Sequence, residues 1–182
     1  MRPILIGLAG RAGAGKSTAA HYLNAVHGFS RTRFAGPLKD MLRAIGLSER
    51  EIEGDLKEAP CALLGGQTPR FAMMSLGTDW GRDIIHPELW AVIWQEKARW
   101  LLAEGVSVSV EDCRFPNEAA AIKALGGYII RIRAPEPRLP DIDHVSEQHD
   151  IPYDISVLND GPVDVFHARL DGALSHLGER DD

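Results

Sequence analysis

Ten residues into the chain stands Gly10-Arg11-Ala12-Gly13-Ala14-Gly15-Lys16-Ser17-Thr18. No other segment limits the fold as much. It matches G-x-x-x-x-G-K-[ST], a phosphate-binding loop in which glycines let successive backbone N–H groups turn inward around an anion. Lys16 is placed to reach β- and γ-phosphates, and the Ser17 hydroxyl is placed to hold Mg²⁺. The flanks agree with that reading. Residues 4–9 form a short apolar run suited to a buried parallel strand, and 17–26 read as a helix whose N-terminal dipole faces the phosphates. A random chain of this length meets the pattern about 1% of the time. The context makes coincidence rarer still, and the chain is expected to bind a nucleoside triphosphate.

The 182 residues, 45% of them apolar, suffice for one domain with a real core. A net charge of −6 excludes general nucleic-acid binding, because no basic excess exists to neutralise a phosphate backbone. Anion binding must therefore come from local clusters of Arg and Lys. Cys61 and Cys113 show no metal spacing and read as reduced thiols. The apolar start is too short for a signal peptide, and no run approaches transmembrane length, so a cytoplasmic protein is expected, with no membrane partner.

Strand and helix patterns alternate, which implies a mostly parallel five-stranded sheet covered on both faces. After the first strand, further strands are expected at 29–34, 106–110, 128–132 and 155–158. Helices are expected at 37–45, 48–54, 69–85, 88–104, 117–125 and 163–176, with starts at Thr68-Pro69 and His86-Pro87. The helical stretch of about 36–104 exceeds what a crossover needs and is the natural place to grip a second substrate. The proline-rich segment within about 134–150 reads as a lid.

Ligands of such sheets bind beyond the carboxyl ends of the strands. Glu111, Asp112 and Arg114 follow the third strand, on the same rim as the glycine loop. An acid there, Asp112 above all, can hold Mg²⁺ together with Ser17; the plainer role is a turn or helix cap. The Val–Ser alternation of 106–110 is unusual for a strand buried on both faces. Arg131 and Arg133 share a strand face and are either lid cations or solvated side chains. A metal site from His144, Glu147 and His149 is disfavoured by irregular spacing.

Several separated blocks accompany the loop: residues 34–40 (Phe-Ala-Gly-Pro-Leu-Lys-Asp), Thr68-Pro69-Arg70, Leu76-Gly77-Thr78-Asp79-Trp80, Asp112-Cys113-Arg114, His144-Val145-Ser146-Glu147 and Asn159-Asp160-Gly161. In this ordered set the chain resembles, over nearly its whole length, the deoxynucleoside monophosphate kinases encoded by bacteriophages. The resemblance implies a three-layer P-loop kinase fold with a helical acceptor-binding insertion. It implies γ-phosphoryl transfer from ATP to a deoxynucleoside 5′-monophosphate, with Mg²⁺ as cofactor. Lys16, Asp112, Arg70 and Arg114 would act in catalysis. Arg70 would grip the monophosphate and Arg114 would bridge donor and acceptor. Lys39 would bind the acceptor or decorate a helix face. Asp79 and Trp80 would hold the base, Trp80 by stacking unless it packs in the core. His144, Ser146 and Glu147 would close over the nucleotides. Where the family places Arg before the proline at 135, this chain has Ala134; Arg133 and Arg138 are the substitutes. The resemblance suggests a homodimer, although the sequence marks no interface. Kinases of dephospho-coenzyme A or of a ribonucleoside monophosphate, and a nucleotide-binding regulatory module, are the other readings. The last would be expected to carry an N/T-K-x-D base-reading motif, which this sequence lacks.

Overall fold

The computed structural model describes residues 2–135 and 151–178. The chain forms two compact units, Met1–Arg33 with Trp94–Asp182, and Phe34–Ile93. In the first, five parallel strands lie in the order β2-β3-β1-β4-β5. They are β1 (Leu5–Ala9), β2 (Ser30–Thr32), β3 (Val108–Val110), β4 (Tyr128–Arg133) and β5 (Ile155–Leu158). All five residues of β1 are buried, as the central strand of a doubly covered sheet requires.

Helices cover both faces. Ile6, Leu8, Ile130, Ile132 and Val157 point to one side, where Leu23 of α1 (Lys16–His27) and Phe166 and Leu170 of α7 (Val163–Gly178) join them in one core. Each such side chain contributes roughly 1.5–3 kcal/mol through burial. The other face carries α6 (Pro116–Ala124) and the Trp94–Ala103 part of α5 (Leu89–Ala103), whose Gln95 donates to the Ala121 carbonyl at 3.1 Å. This is the expected α/β layering. No helix among the described residues is long and apolar enough to cross a membrane.

Strands β2 and β3 are shorter than the predicted 29–34 and 106–110, and both start late because their first predicted residues are spent on helix termini. The Phe29 N–H bonds Leu23 O at 3.1 Å and the Val106 N–H bonds Leu101 O at 3.0 Å, leaving neither for the ladder. The serines of 106–110 divide. Ser107 Oγ accepts the Ile4 N–H at 3.1 Å, whereas Ser109 is fully buried and its Oγ has no hydrogen-bond partner among the described residues.

The Phe34–Ile93 unit is helical: α2 (Gly36–Ala44), α3 (Glu49–Ile52), a 3₁₀ turn (Ala62–Leu64), α4 (Pro69–Ser75) and the start of α5. Its small core is Leu42, Leu47 and Ile52, with Leu64, Met73 and Leu76 packed against them. Thr68 caps α4 by accepting the Phe71 N–H at 3.1 Å, and Pro69 sits where its missing N–H costs nothing. The single helix predicted over 69–85 requires correction. After Ser75 the coil widens into a π-helix, Leu76–Ile85. Trp90 supplies the physical reason. Its indole N–H donates to the Gly77 carbonyl at 2.8 Å, satisfying an acceptor in the wide turn, and its ring fills the space a Cβ at Gly81 would need.

Removing the Ser109 hydroxyl takes away a buried polar atom without orphaning a partner. Ser109→Ala is therefore expected to keep or raise stability in urea unfolding, by up to about 1 kcal/mol. A loss of similar size would show that the hydroxyl is bonded.

Candidate active site

The glycine loop joins β1 to α1 at the carboxyl edge of the sheet. Gly10, Gly13 and Gly15 all have positive φ (138°, 74° and 108°). At two of them space decides as well as conformation. A Cβ on Gly10 would strike the Ile132 carbonyl of β4, and one on Gly15 would strike the Asn159 side chain. Arg11, Gly13, Ser17 and Thr18 are exposed, Ala12 is half-buried and Ala14 is buried. Lys16, only 8% exposed, folds its ammonium back over the loop, donating to Gly10 O at 2.5 Å and Arg11 O at 2.8 Å. A cation is thus held over the glycine loop, where a polyphosphate would need it.

Asn159, just past β5, locks the loop from beneath. Its Nδ2 donates to Ala14 O at 2.8 Å, while its own N–H bonds Arg133 O at 2.7 Å. Sequence reasoning quoted this residue within a block but assigned it no role. The available signal was its place after a strand, in an Asn-Asp-Gly turn.

Beside the loop lies a cavity of about 390 Å³ whose walls include Gly10, Arg11, Ala12, Arg131, Arg133 and Tyr153. Arg131 pairs in register with Ala9 of β1, and its guanidinium lies over the Tyr153 ring, 5.3 Å from the centroid. Arg131 and Arg133 therefore both stand at the loop. His144, Ser146, Glu147, His149 and Arg138, with most of the predicted lid, lie outside the described residues.

Of the three charged residues expected after β3, Glu111 serves the structure. It is 5% exposed and ion-paired to Arg31 at 3.0 Å and to Arg33. Asp112 and Arg114 are half-buried. The Arg114 backbone is fixed by Glu118, a buried carboxylate that accepts the N–H groups of Arg114 at 2.7 Å and Phe115 at 3.1 Å, opening α6. Burial, and after it the charges of Glu118 and Asp112, push the Cys113 thiol well above its usual range, so it is no nucleophile. Among the described residues no three His, Cys, Asp or Glu side chains gather as a metal cage. Ser17 and Asp112 offer oxygen donors only, the kind Mg²⁺ takes alongside water and substrate phosphates.

The remaining expected contacts belong to the Phe34–Ile93 unit. Lys39 pairs with Glu53 at 2.7 Å, and Arg70 with Glu58. Asp79 accepts the Ser75 hydroxyl at 2.8 Å. Trp80 is 38% exposed and tilted against Trp90, ring centroids 6.2 Å apart, so it is no core residue and keeps a free surface.

Asn159→Ala would strip the Ala14 carbonyl of its buried partner. A stability loss of about 1–3 kcal/mol is expected in thermal unfolding, together with weaker ATP binding by calorimetry. Unchanged ATP affinity would confine Asn159 to a purely structural role.

No protein-family model matches the chain. Solved structures share its fold: a gluconokinase from Sinorhizobium meliloti (TM-score 0.53, 16% identity, 98% of this chain and 95% of that one). The APS kinase of Mycobacterium tuberculosis also matches (0.51, 14%, 96% and 98%). So does dephospho-CoA kinase from Campylobacter jejuni (0.50, 15%, 97% and 98%). At such identities these matches speak for the P-loop kinase fold alone. A protein of Acanthamoeba polyphaga mimivirus, provisionally named a deoxynucleotide monophosphate kinase, is 35% identical over 97% of this chain and 98% of its own length. With its phosphate loop, its strand order and this full-length likeness, the chain is a P-loop kinase and belongs to the deoxynucleotide monophosphate kinase family.

Proposed function

We propose that the protein transfers the γ-phosphoryl group of ATP to a deoxynucleoside 5′-monophosphate, giving ADP and a deoxynucleoside 5′-diphosphate. The observation that carries this reading is the complete phosphate cradle, with Lys16 folded over Gly10 and Arg11 and Asn159 behind it. The acceptor class rests on the mimivirus relative's name.

The chemistry suits a site built from cations rather than from a base. A phosphate monoester loses its second proton near pH 6, so the acceptor arrives already ionised. What must be overcome is repulsion between two polyanions, about 4 kcal/mol for each unit pair at 4 Å and an effective dielectric near 20. Lys16 would exchange its two carbonyls for phosphate oxygens, with the loop N–H groups holding the rest. Arg131 and Arg133, on the cavity wall, would add charge on the donor side. Arg114, its backbone clamped by Glu118, would offer a guanidinium of fixed origin to the transferring group. Ser17 and Asp112 would hold Mg²⁺, which when bound neutralises charge on the β- and γ-oxygens. Arg70 and Lys39 would exchange their exposed glutamates for the acceptor phosphate, Arg70 in bidentate fashion. Asp79 and Trp80 would address the base.

A coupled ADP-release assay with ATP–Mg²⁺ tests this directly, and turnover is expected with at least one deoxynucleoside monophosphate. Turnover confined to dephospho-coenzyme A or to ribonucleotides would reassign the acceptor. Lys16→Ala is expected to lower kcat by about 10²–10³-fold while circular dichroism shows an intact fold. For Arg70→Ala the acceptor KM should rise about tenfold or more, with ATP binding nearly unchanged; equal loss of both would remove Arg70 from the acceptor site.

A further inference from the structure

In the Phe34–Ile93 unit one half-buried cation makes no ion pair among the described residues. Lys57 lies in the irregular stretch between α3 and α4, and its carbonyl accepts the Arg70 N–H at 3.0 Å, which ties it to the first turn of α4. Lys39 and Arg70 are near enough for their charges to be felt at Lys57, and each already has a carboxylate, Glu53 and Glu58 respectively. No ion pair or hydrogen bond reaches the Lys57 ammonium among the described residues. The group thus holds three cations against two carboxylates. Burial first, then Lys39 and Arg70, press Lys57 below the ordinary lysine range, against the opposing pull of Glu53 and Glu58.

An unpaired ammonium crowded by two other cations is unfavourable until an anion arrives. A phosphate monoester meets the need with two negative charges and three acceptor oxygens. Lys57 can donate three hydrogen bonds as a point charge, and Arg70 brings a planar fork. We propose that Lys57 is a direct ligand of the acceptor's phosphate monoester, completing with Lys39 and Arg70 a three-cation site. This deepens the kinase reading above and rests on it.

The site has a pH signature. Free Lys57 loses its proton at a lower pH than an ordinary lysine, and a bound dianion favours the protonated form. Acceptor affinity should therefore decline on the alkaline side earlier than a lysine of normal acidity would allow, and arginine at this position should carry that decline to higher pH.

The test uses the full chain in steady state. Lys57→Met is expected to raise the acceptor KM about tenfold or more, with the ATP KM within about twofold. Lys57→Arg should restore the acceptor KM and carry the alkaline decline to higher pH. An unchanged acceptor KM in an active Lys57→Met enzyme would overturn the assignment and leave the kinase reading standing. If the unaltered protein turns over no deoxynucleoside monophosphate, the kinase reading falls instead. Calorimetric titration of inorganic phosphate into Lys16→Ala, with and without Lys57→Met, then decides the site: weakening by about tenfold supports it and equal affinity overturns it. Should Lys57→Met not fold, the Lys57→Arg pH profile is decisive, a shift supporting the assignment and an unmoved profile ending it.

Discussion

Backbone N–H groups bind phosphate strongly only when they are held open beforehand, since each one that turns to a carbonyl instead is a donor lost to the ligand. In this protein that constraint reaches far from the loop itself. Gly10 has to be glycine because β4 runs against it, and Gly15 because Asn159 reaches under it from beyond β5. Lys16 lies over the same ring and bonds its carbonyls. The central strand, its neighbour and the edge strand β5 thereby all bear on one short turn, which explains why an eight-residue motif can govern the arrangement of so much chain.

The cations held in ion pairs fall into two kinds. Those in ion pairs with buried acids, Arg31 and Arg33 on Glu111, balance a charge that the fold has taken out of water, and such pairs are costly to break from one side. Those paired with exposed acids, such as Arg70 on Glu58, are held weakly and can change partners at little cost. Exposure of the acid, more than that of the base, separates the two kinds: Glu111 is buried and Glu58 is exposed.

This difference also marks what was legible in the sequence. The glycine loop could be read because its chemistry is local, and the sheet because short apolar runs alternated with helical periodicity. Asp112 and Arg114 could be placed by their position after a strand. Glu111 stands beside them with the same local signal, yet its role is set by Arg31 and Arg33, some eighty residues away in sequence. The π-helix was hidden for a similar reason: Leu76–Ile85 has ordinary helical periodicity, and the Trp90 indole that bonds the wider coil lies beyond it in sequence. Lys57 sits in an irregular stretch with no pattern at all, and its character comes first from burial and then from neighbours far along the chain, Lys39 and Arg70 among them. The proposed acceptor residues came from resemblance, since periodicity carries no sign of them.

The pairing of Glu111 has an effect beyond charge balance. β2 is the outermost strand on its side of the sheet, only three residues long, and Arg31 on it is exposed. A short margin bearing guanidinium groups is a poor template for another chain's backbone, so the same arginines that neutralise a buried acid also discourage edge-to-edge polymerisation.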